Sequence, residues 1–518
     1  MDRMQEYNKL KETSLWDVVI IGGGATGLGI ALDSALRGYK TLLCEALDFA
    51  QGTSSRSTKL LHGGVRYLAQ GEIGLVYEAL HERDRVIRNA PHLCKKQAFV
   101  IPNTSFFDAC FYTFGLKIYD FIAGAFGIGK TSYLSANKAR SRLRGIKEHK
   151  ISSGVCYYDG QFDDARLALN LAQSAAREGA CVLNYARVES LLKNQDGEIE
   201  GVGIRLQDTQ EILEVHSRCV INASGVFGDG INAMDHARGN SIMPSQGIHL
   251  VFDKSFLPGN DALMIPKTPD GRVLFAIPWY DKVVVGTTDT LVNDICYEPS
   301  ALDEEIAFIL NTFGEYATKT PGRDDVLSVF AGLRPLVKQD QSASTKDISR
   351  KHKISLSPSK LITINGGKWT TYRRMAQDCL DFIIKHQLLP KSPCKTQDYK
   401  IYGYKEDGDP ADRLHMYGDK AEEIYRLEEQ DPRLKKPIHK DYSYTFAQIF
   451  WALEHEMAQH LDDVLARRIR LLFLDARAAR ACAKDVAHFM AEHLAWSQSR
   501  LESEIESFMK LSERYYLK

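Results

Sequence analysis

The sequence lacks several features that would assign it to a special class of protein. Its formal net charge is only −1, so the overall charge gives no indication of nucleic-acid binding. The ten cysteines are scattered from Cys44 to Cys482 without a CxxC pair, which argues against a disulfide framework and against a zinc site. No apolar run reaches the roughly 18 residues that a membrane helix needs, and residues 1–14 contain no apolar core of a secretion signal. These absences predict a globular protein of a reducing compartment, with peripheral attachment to a membrane left open.

The N-terminal part of the chain predicts a doubly wound α/β sheet. Residues 16–21, WDVVII, form a short apolar run that is typical of a buried parallel strand. The glycine-rich GGGATGLG follows at once, and a helix is expected over 25–37, with Gly38 as its C-terminal cap. A second buried strand is expected over 41–45. This β-turn-α-β order begins a nucleotide-binding fold.

The length of 518 residues predicts two or three domains. Residues 219–225 and 361–376 resemble further strand-and-turn pieces of the first domain, whereas 274–289 predicts antiparallel strands over a substrate. A polar, turn-rich linker follows Thr396, and the chain is strongly helical from Tyr444 onward. We therefore predict a domain over 1–395, whose nucleotide part comprises about 14–90, 155–245 and 325–395, with a cap over about 91–154 and 246–324, and a helical domain over 396–518.

The glycine-rich turn is the first motif that carries chemistry. Gly22, Gly24 and Gly27 have GxGxxG spacing, which suits a tight turn, a close approach of backbone to a pyrophosphate, and packing of helix on strand. The N-terminus of the following helix offers N–H groups to the phosphates. Glu45 ends the second strand and is placed to accept hydrogen bonds from ribose hydroxyls. Together these residues predict dinucleotide binding.

A second segment favours FAD over NAD. Residues 53–68, TSSRSTKLLHGGVRYL, begin with hydroxyl side chains that can bond phosphate and ribose oxygens. Gly63 and Gly64 would let backbone lie close to a flat ring system. A dehydrogenase that releases NAD has less use for such a long second strip of contacts, so the segment indicates a permanently bound flavin.

Several longer segments carry a resemblance to a known family, and together they span nearly the whole chain. The sequence resembles FAD-dependent glycerol-3-phosphate dehydrogenase of the bacterial, aerobic, membrane-associated respiratory type. The segments that carry the resemblance are VVIIGGGATGLGIA (18–31), residues 53–68, ALHERDRVIRNAPHL (79–93), DDARLALNLAQSA (163–175), IPWYDKVVVGTTDT (277–290), FAGLRPL (330–336), DISRKHKI (347–354), INGGKWTTYRRMA (364–376) and DVLARRIRLLFLDARAA (463–479).

The resemblance implies a fold and an activity. The fold implied is a glutathione-reductase-type, Rossmann-like FAD domain with an antiparallel β substrate cap and a C-terminal α-helical domain. The activity implied is oxidation of sn-glycerol 3-phosphate to dihydroxyacetone phosphate, with hydride transfer to FAD and electrons passed to a membrane quinone. The implied location is peripheral, on the cytoplasmic face of the bacterial inner membrane, or in the cytoplasm, and a homodimer is possible. No EF-hand loop or Arg-rich leader is present, which favours the bacterial type.

Other activities stay open on the same fold. The first alternative is a glycerol-3-phosphate oxidase, which would pass electrons to oxygen and produce hydrogen peroxide. A flavin amine oxidase is disfavoured because Arg334, Arg350 and Lys368 would repel an amine cation. A protein that holds FAD without turnover is disfavoured by the candidate proton acceptors beside these cations.

The resemblance also implies site residues. For the substrate phosphate it implies Arg334, Arg350 and Lys368, because arginine is the best bidentate donor to phosphate. His62 and His249 are both candidates for the base that takes the hydroxyl proton, and the sequence does not decide between them. Arg66 and Tyr67 are expected to line the pocket. The expected cofactor residues are Gly22, Gly24, Gly27, Glu45, Thr53, Ser54, Ser55, Ser57, Thr58, Lys59, Gly63, Gly64, Gly225, Asp289, Gly367, Lys368, Thr370 and Thr371.

One aromatic segment is assigned neither to the cofactor site nor to the substrate site. Residues 106–130, FFDACFYTFGLKIYDFIAGAFGIGK, are rich in Phe and Tyr and carry few charges. The segment is either a core helix or an apolar surface that meets a lipid bilayer or a quinone.

Overall fold

The computed structural model describes residues 1–69, 71–235, 242–268, 271–337 and 352–517, without the side chains of residues 66 and 69. In these ranges the α-helices are α1 (Arg3–Glu12), α2 (Ala25–Leu36), α3 (Val65–Ala69), α4 (Ile73–Asn89), α5 (Phe106–Ala123), α6 (Ala136–Arg142), α7 (Asp164–Arg177), α8 (Gly228–Met234), α9 (Asp303–Gly314), α10 (Tyr372–Lys385), α11 (Ala421–Gln430), α12 (Phe446–His455), α13 (Leu471–Leu474), α14 (Ala476–His493) and α15 (Gln498–Ser512).

The strands of the described ranges follow the same chain order. They are β1 (Val18–Ile21), β2 (Thr41–Cys44), β3 (Leu60–Leu61), β4 (Cys94–Asn103), β5 (Ser132–Ser135), β6 (Ser153–Phe162), β7 (Cys181–Leu183), β8 (Ala186–Lys193), β9 (Ile199–Leu206), β10 (Ile212–His216), β11 (Val220–Asn222), β12 (Ile242–Asp253), β13 (Ala262–Ile265), β14 (Leu274–Trp279), β15 (Lys282–Gly286), β16 (Thr290–Leu291), β17 (Val326–Val337), β18 (Lys353–Leu356) and β19 (Ile362–Asn365).

A six-stranded sheet carries the nucleotide-binding turn. Its strand order is β18-β19-β11-β1-β2-β7, and β1 pairs in parallel with both β2 and β11. Every residue of β1 and β2 is buried, as expected for central parallel strands. Helix α2 follows β1 and ends before Gly38, whose φ of +88° suits a helix C-terminus. The predicted β-turn-α-β order and fold class are therefore confirmed.

A second sheet has ten strands and is mainly antiparallel. Its order is β16-β12-β15-β14-β13-β4-β6-β3, with β17 on β12 and β5 on β6, and one pair, β13 with β4, is parallel. Strands β14 and β15 form a hairpin whose two turn residues, Tyr280 and Asp281, have φ of +44° and +57°. Pro278 lies inside β14, opposite Val283 of β15 and beyond the residues of β14 that pair with β13, and its carbonyl accepts a hydrogen bond from the Gln161 side chain at 2.8 Å.

The strands of the two sheets can be compared with the predicted domain boundaries. Strands β6 and β17 pair in the ten-stranded sheet, although the predicted boundaries place most of β6 and all of β17 in the nucleotide part. A third sheet, β10-β9-β8, lies between β7 and β11 in the chain. The predicted domain boundaries stay a prediction.

The C-terminal helices share a core with the six-stranded sheet. Leu28 of α2, Leu167 of α7 and Leu472 of α13 belong to one continuous cluster of buried apolar residues. Within the region that the sequence predicts to be strongly helical, the segment 461–475 forms a π-helical turn at Asp463–Arg468 and a break at Arg470, whose φ is +62°. The break lets buried arginines reach carboxylates of the first domain.

Those arginines form ion pairs that join the C-terminal helices to the first domain. Asp48 accepts hydrogen bonds from Arg467 and from Arg468, the latter at 2.6 Å and 2.9 Å. Asp164 accepts from Arg470 at 3.0 Å and from the Lys59 ammonium at 2.7 Å. All of these side chains are buried.

Helix α5 presents its phenylalanines to solvent. Ser105 caps the helix by accepting a hydrogen bond from the Asp108 N–H at 3.1 Å, and Leu116 and Tyr119 on one face are buried. The opposite surface exposes five phenylalanines, with exposures of 70% to 85%: Phe106, Phe107, Phe111, Phe114 and Phe121. The core-helix interpretation of 106–130 therefore holds for only one face. Over the described residues, no helix has the length and apolar character needed to cross a membrane.

Candidate active site

Two cavities meet between the six-stranded and ten-stranded sheets. The larger has a volume of about 550 Å³ and is lined by the glycine-rich turn, and the smaller has a volume of about 320 Å³ and is lined by the ten-stranded sheet. Both are lined by Thr53, Pro335 and the segment 367–369. A ligand that fills the larger cavity would therefore touch a second ligand in the smaller one at this junction.

The larger cavity has the donors that a pyrophosphate needs. It is lined by Gly22, Gly24 and Thr26, at the N-terminus of α2, where the N-cap residue Gly24 has no side chain to cap the helix. Glu45 also lines it, and its carboxylate accepts hydrogen bonds from the N–H groups of Gly23 at 2.6 Å and Leu47 at 2.9 Å. Burial raises the pKa of Glu45, although these two hydrogen bonds oppose the shift. The glycine-rich turn, the N-terminus of α2 and Glu45 together fit the pyrophosphate and ribose of a dinucleotide.

The hydroxyl-rich strip, residues 53–68, lines both cavities. Ser54 accepts a hydrogen bond from the Ala25 N–H at 2.9 Å, and its own carbonyl accepts one from the Trp369 indole at 2.9 Å. Thr53 donates to the Leu333 carbonyl at 2.5 Å. These contacts join the strip to α2 on one side and to the turn after β19 on the other.

The turn after β19 lies at the junction of the cavities. Gly366 and Gly367 have φ of +77° and +82°, and both line the larger cavity. Gly225, with φ of +61°, lines the same cavity from the end of β11. Thr370 lines the smaller cavity and accepts a hydrogen bond from the His62 N–H at 3.2 Å.

The smaller cavity contains an arginine held in a fixed orientation. Arg334 lies on β17 opposite Ser245 of β12, and its guanidinium donates to the Thr287 hydroxyl at 3.1 Å and the Thr288 carbonyl at 3.0 Å. It also pairs with Asp289 at 3.3 Å. A side chain at Gly247 would collide with this guanidinium, so only glycine leaves it room. Such anchoring leaves a guanidinium positioned to bind an anion in the cavity.

A second cation lies at the junction itself. Lys368 lines both cavities, and its ammonium is 3.9 Å from the centre of the Tyr67 ring. Arg272 also lines the smaller cavity. The smaller cavity therefore combines positive charge with an apolar wall that includes Phe99 and Phe275.

Both candidate bases line the smaller cavity. The His249 ring stacks on Phe330, with 4.8 Å between centroids, and its Nε2 is 2.9 Å from the Thr58 hydroxyl. Its Nδ1 has no hydrogen-bond partner among the described residues. Burial, and then the charges of Lys59 and Arg334, hold the pKa of His249 well below its ordinary value of 6.5. His249 is therefore neutral, as a proton acceptor must be. His62 is half-buried and lines the same cavity.

Most predicted site residues lie around the cavities, and several do not. Gly22, Gly24, Glu45, Ser54 and Gly225 line the larger cavity. Ser57, Thr58, Gly64, Tyr67, Asp289 and Thr370 line the smaller one. Gly27, Ser55, Lys59, Gly63 and Thr371 line neither. Arg350 lies outside the described residues, as does the side chain of Arg66.

The five residues that line neither cavity have other contacts, and their contact with the cofactor stays a prediction. Lys59 pairs with Asp164, and Ser55 and Thr371 donate to the carbonyls of Gly52 and Lys368. A Cβ at Gly27 would collide with the Gly22 carbonyl oxygen, which fits the helix-packing role of the third glycine. The Gly63 N–H donates to the Tyr119 hydroxyl at 2.8 Å.

Several cavity residues, Trp369, Arg272, Arg187 and Tyr297 among them, are not included in the sequence prediction. Trp369 and Arg272 adjoin motifs that were recognised, so their neighbours in the chain give a signal. Arg187 and Tyr297 lie in segments with no recognisable motif and reach the larger cavity only through the fold.

Comparison with known families divides the chain in two. Residues 17–367 match the family described as FAD dependent oxidoreductase. Residues 357–501 match the C-terminal domain of alpha-glycerophosphate oxidase. The first match covers more than half of the chain and most of the residues that line the two cavities.

Similar proteins agree with these families. The mitochondrial glycerol-3-phosphate dehydrogenase of Bos taurus is 38% identical over 97% of this chain and 74% of its own length. A probable mitochondrial glycerol-3-phosphate dehydrogenase of Dictyostelium discoideum is 36% identical over 98% of this chain and 85% of its own length. The structure of the glycerol-3-phosphate dehydrogenase from Bacillus halodurans complexed with FAD has a TM-score of 0.80 and 28% identity over 98% of both chains. The FAD-bound L-alpha-glycerophosphate oxidase of Mycoplasma pneumoniae, at 17% identity over 75% of this chain and 99% of its own, has a TM-score of 0.57 and shares the fold. The chain therefore belongs to the FAD-dependent glycerol-3-phosphate dehydrogenase family.

Proposed function

We propose that this protein oxidises sn-glycerol 3-phosphate to dihydroxyacetone phosphate and passes the electrons to a quinone in a membrane. The observation that carries the proposal is the junction of the two cavities at 367–369. One cavity suits a dinucleotide and the other suits a small anion, so a hydride donor can lie against a cofactor ring. The names of the relatives supply the substrate.

Two cations would bind the substrate phosphate. Arg334 is anchored by Asp289 and the Thr287 hydroxyl, and Lys368 lies at the junction. A phosphate dianion between them would make charge-assisted hydrogen bonds that an uncharged triol such as glycerol lacks. The preference for the phosphorylated substrate follows from this difference. Arg350 and Arg66 stay predicted contributors.

The reaction needs one hydride acceptor and one proton acceptor. Bound FAD supplies the hydride acceptor for the hydrogen on C2 of the substrate. The C2 hydroxyl proton must leave at the same time, and a neutral histidine beside the cavity takes it. His249 fits this role because burial favours its neutral form and its ring is held by Phe330 and Thr58. His62 is the second candidate.

The exposed phenylalanines of α5 support a membrane location for the electron acceptor. Contiguous exposed apolar surface of this kind is costly in water, and it suits insertion into the interfacial region of a bilayer. Lys117 and Lys130, both exposed, are placed in the same segment to contact anionic headgroups. A quinone dissolved in that bilayer would then meet the protein at this surface.

The membrane and acceptor parts are tested with liposomes that contain a quinone. We expect the wild-type protein to sediment with the liposomes, and substrate-reduced protein to be reoxidised far faster by the quinone than by oxygen. A variant with Phe107→Ser, Phe111→Ser, Phe114→Ser and Phe121→Ser should stay in the supernatant. A control with Leu15→Ser, Ile212→Ser and Leu302→Ser changes exposed apolar residues elsewhere and should still sediment. Sedimentation of the phenylalanine variant would remove α5 from the membrane contact, and fast reoxidation by oxygen with release of peroxide would make the protein an oxidase.

A further inference from the structure

Three side chains from separate segments stack at one end of the larger cavity. Phe227 and Tyr297 have ring centroids 4.2 Å apart at an interplanar angle of 25°. The Arg187 guanidinium lies 5.9 Å from the centre of the Tyr297 ring, and it donates to the Tyr297 hydroxyl at 3.4 Å. All three residues line the cavity and are half-buried. Neither the glycine-rich turn nor the hydroxyl-rich strip includes them.

The stack lies at the end of the cavity where the adenosine of FAD belongs. Arg187 is close enough to Glu45 to favour its carboxylate form, against the effect of burial, which raises the pKa of Glu45. Glu45 ends the second strand after the glycine-rich turn, where an acid bonds the adenosine ribose. The flavin end is set by residues 367–369, where the two cavities meet, and none of the three stacked residues lines the smaller cavity.

We propose that Arg187, Phe227 and Tyr297 form an adenosine clasp, which binds the adenosine half of FAD and retains the cofactor. Adenine presents a flat π face that aromatic rings and a planar guanidinium both stack against. The apolar Ile295 lines the same end of the cavity, beside Tyr297 in the chain. The clasp thus adds stacking to the hydrogen bonds that the turn and Glu45 supply.

The segment that carries Tyr297 is anchored from inside the protein. Glu298 accepts hydrogen bonds from the Arg56 guanidinium at 2.6 Å and from the Tyr515 hydroxyl at 2.9 Å. Arg514 donates to the Glu298 carbonyl. The anchor therefore joins the hydroxyl-rich strip, the segment 292–302 and the last turn of the chain. Glu298 is a positioning residue of the clasp because it fixes Tyr297 without lining the cavity itself.

The clasp is tested by the affinity of the apoprotein for FAD and for its two halves. Fluorescence titration with FAD should show that Tyr297→Ala raises the dissociation constant by about 10- to 100-fold, as expected for loss of one stacking partner. ADP, which carries only the adenosine half, should lose affinity by a similar factor. FMN, which carries only the flavin half, should bind both proteins alike. Tyr297→Phe keeps the ring and should change each constant by no more than about threefold.

Two further variants separate the clasp from general damage. Tyr133→Ala removes an exposed tyrosine far from the cavity, 55% exposed, and should leave all three affinities unchanged. Arg187→Met should weaken ADP and FAD binding together, even if Tyr297→Ala proved too unstable to titrate. The proposal is overturned if Tyr297→Ala or Arg187→Met binds ADP as tightly as the wild type, or if FMN loses as much affinity as ADP.

Discussion

Arg334 carries the clearest prediction for a single residue. Its guanidinium is held by Asp289 and by the oxygens of Thr287 and Thr288, so it is oriented before a substrate arrives. Arg334→Ala removes a charge-assisted contact to phosphate and should lower kcat/KM for sn-glycerol 3-phosphate by about 30-fold or more, mainly through KM. Steady-state kinetics with a quinone acceptor measure this effect.

The control for Arg334 is the cofactor. Because Arg334 lines only the smaller cavity, Arg334→Ala should retain FAD with an unchanged visible spectrum. Arg334→Lys keeps the charge but loses the planar guanidinium, so its kcat/KM should lie between those of the wild type and Arg334→Ala. Unchanged kinetics in Arg334→Ala would remove this residue from the substrate site.

Substitution of each candidate histidine shows which of the two accepts the proton. His249→Gln removes a neutral base, and the rate of flavin reduction by substrate should fall by about 100-fold or more. His62→Gln should reduce the same rate much less, since the His249 ring is fixed by Phe330 and Thr58 and burial favours its neutral form. Rapid mixing without oxygen measures both rates. A larger loss in His62→Gln than in His249→Gln would transfer the role to His62.

Local motifs explain which residues could be predicted and which could not. The turn Gly22–Gly27 and Glu45 are set by spacing within 24 residues of chain, so the sequence alone indicates their chemistry. Lys59 lies in an equally recognisable strip, yet its side chain turns away from the cavities toward Asp164. Arg187 and Tyr297 are brought together by the fold across 110 residues, and no local pattern indicates that contact.

At the scale of elements, an ion pair joins α15 to the segment before the π-helical turn. The His460 ring and the Glu504 carboxylate are 2.7 Å apart. Burial alone would lower the pKa of His460, but the hydrogen bond to Glu504 and the charge of Asp463 raise it to about 9. The folded pKa exceeds the ordinary value of 6.5, so this contact stabilises fully below pH 6.5 and is lost as pH rises through about 9.

The pH dependence of unfolding measures that contact. The stability difference between the wild type and His460→Gln should be constant below pH 6.5 and should shrink between pH 6.5 and about 9. A matched variant, His386→Gln, changes an exposed histidine that hydrogen-bonds only to the Phe382 carbonyl of its own helix, among the contacts described. That variant should show no such trend. A difference that stays constant across the range would contradict the ion pair.

Elements differ in how far sequence predicts them. Central strands such as β1 and β2 follow from short apolar runs, because both faces are buried. The antiparallel strands β14 and β15 follow from β-rich runs that are broken near Asp281. The π-helical turn at Asp463–Arg468 does not follow from its apolar spacing. Its geometry is set by buried carboxylates on other segments, which a local pattern cannot include.

At the scale of the whole molecule, Asp48 joins the two ends of the chain. Its carboxylate lies between Arg467 and Arg468, and all three side chains are buried. Asp48→Asn removes the main counter-charge of the buried Arg468 and one of the carboxylates paired with Arg467, which keeps Asp462 and Asp463, so we expect the free energy of unfolding to fall by about 3–5 kcal/mol. Asp398→Asn, which removes an exposed partner of Arg88, should change it by less than about 0.5 kcal/mol. Denaturant titration followed by circular dichroism measures both.

The ion pairs of Asp48 with Arg467 and Arg468 also make the stability of the protein depend on pH under acidic conditions. Burial would raise the pKa of Asp48, but Arg468 and Arg467 hold it well below the ordinary value of 3.8. A lowered folded pKa stabilises the protein above pH 3.8 and loses that contribution as pH falls below it. The advantage of the wild type over Asp48→Asn should therefore shrink below about pH 4. Because helices α12–α14 share the core of α2 and α7, unfolding should occur in one transition rather than two.

The central claim is that one cavity holds FAD and the other holds glycerol 3-phosphate, in contact at residues 367–369. An absorbance spectrum of the purified protein without oxygen, before and after adding sn-glycerol 3-phosphate, tests it most directly. We predict a flavin spectrum that loses its visible absorption with this substrate and keeps it with glycerol, which lacks the phosphate. A flavin spectrum that sn-glycerol 3-phosphate leaves unchanged would keep the FAD fold and contradict the assignment of the second cavity.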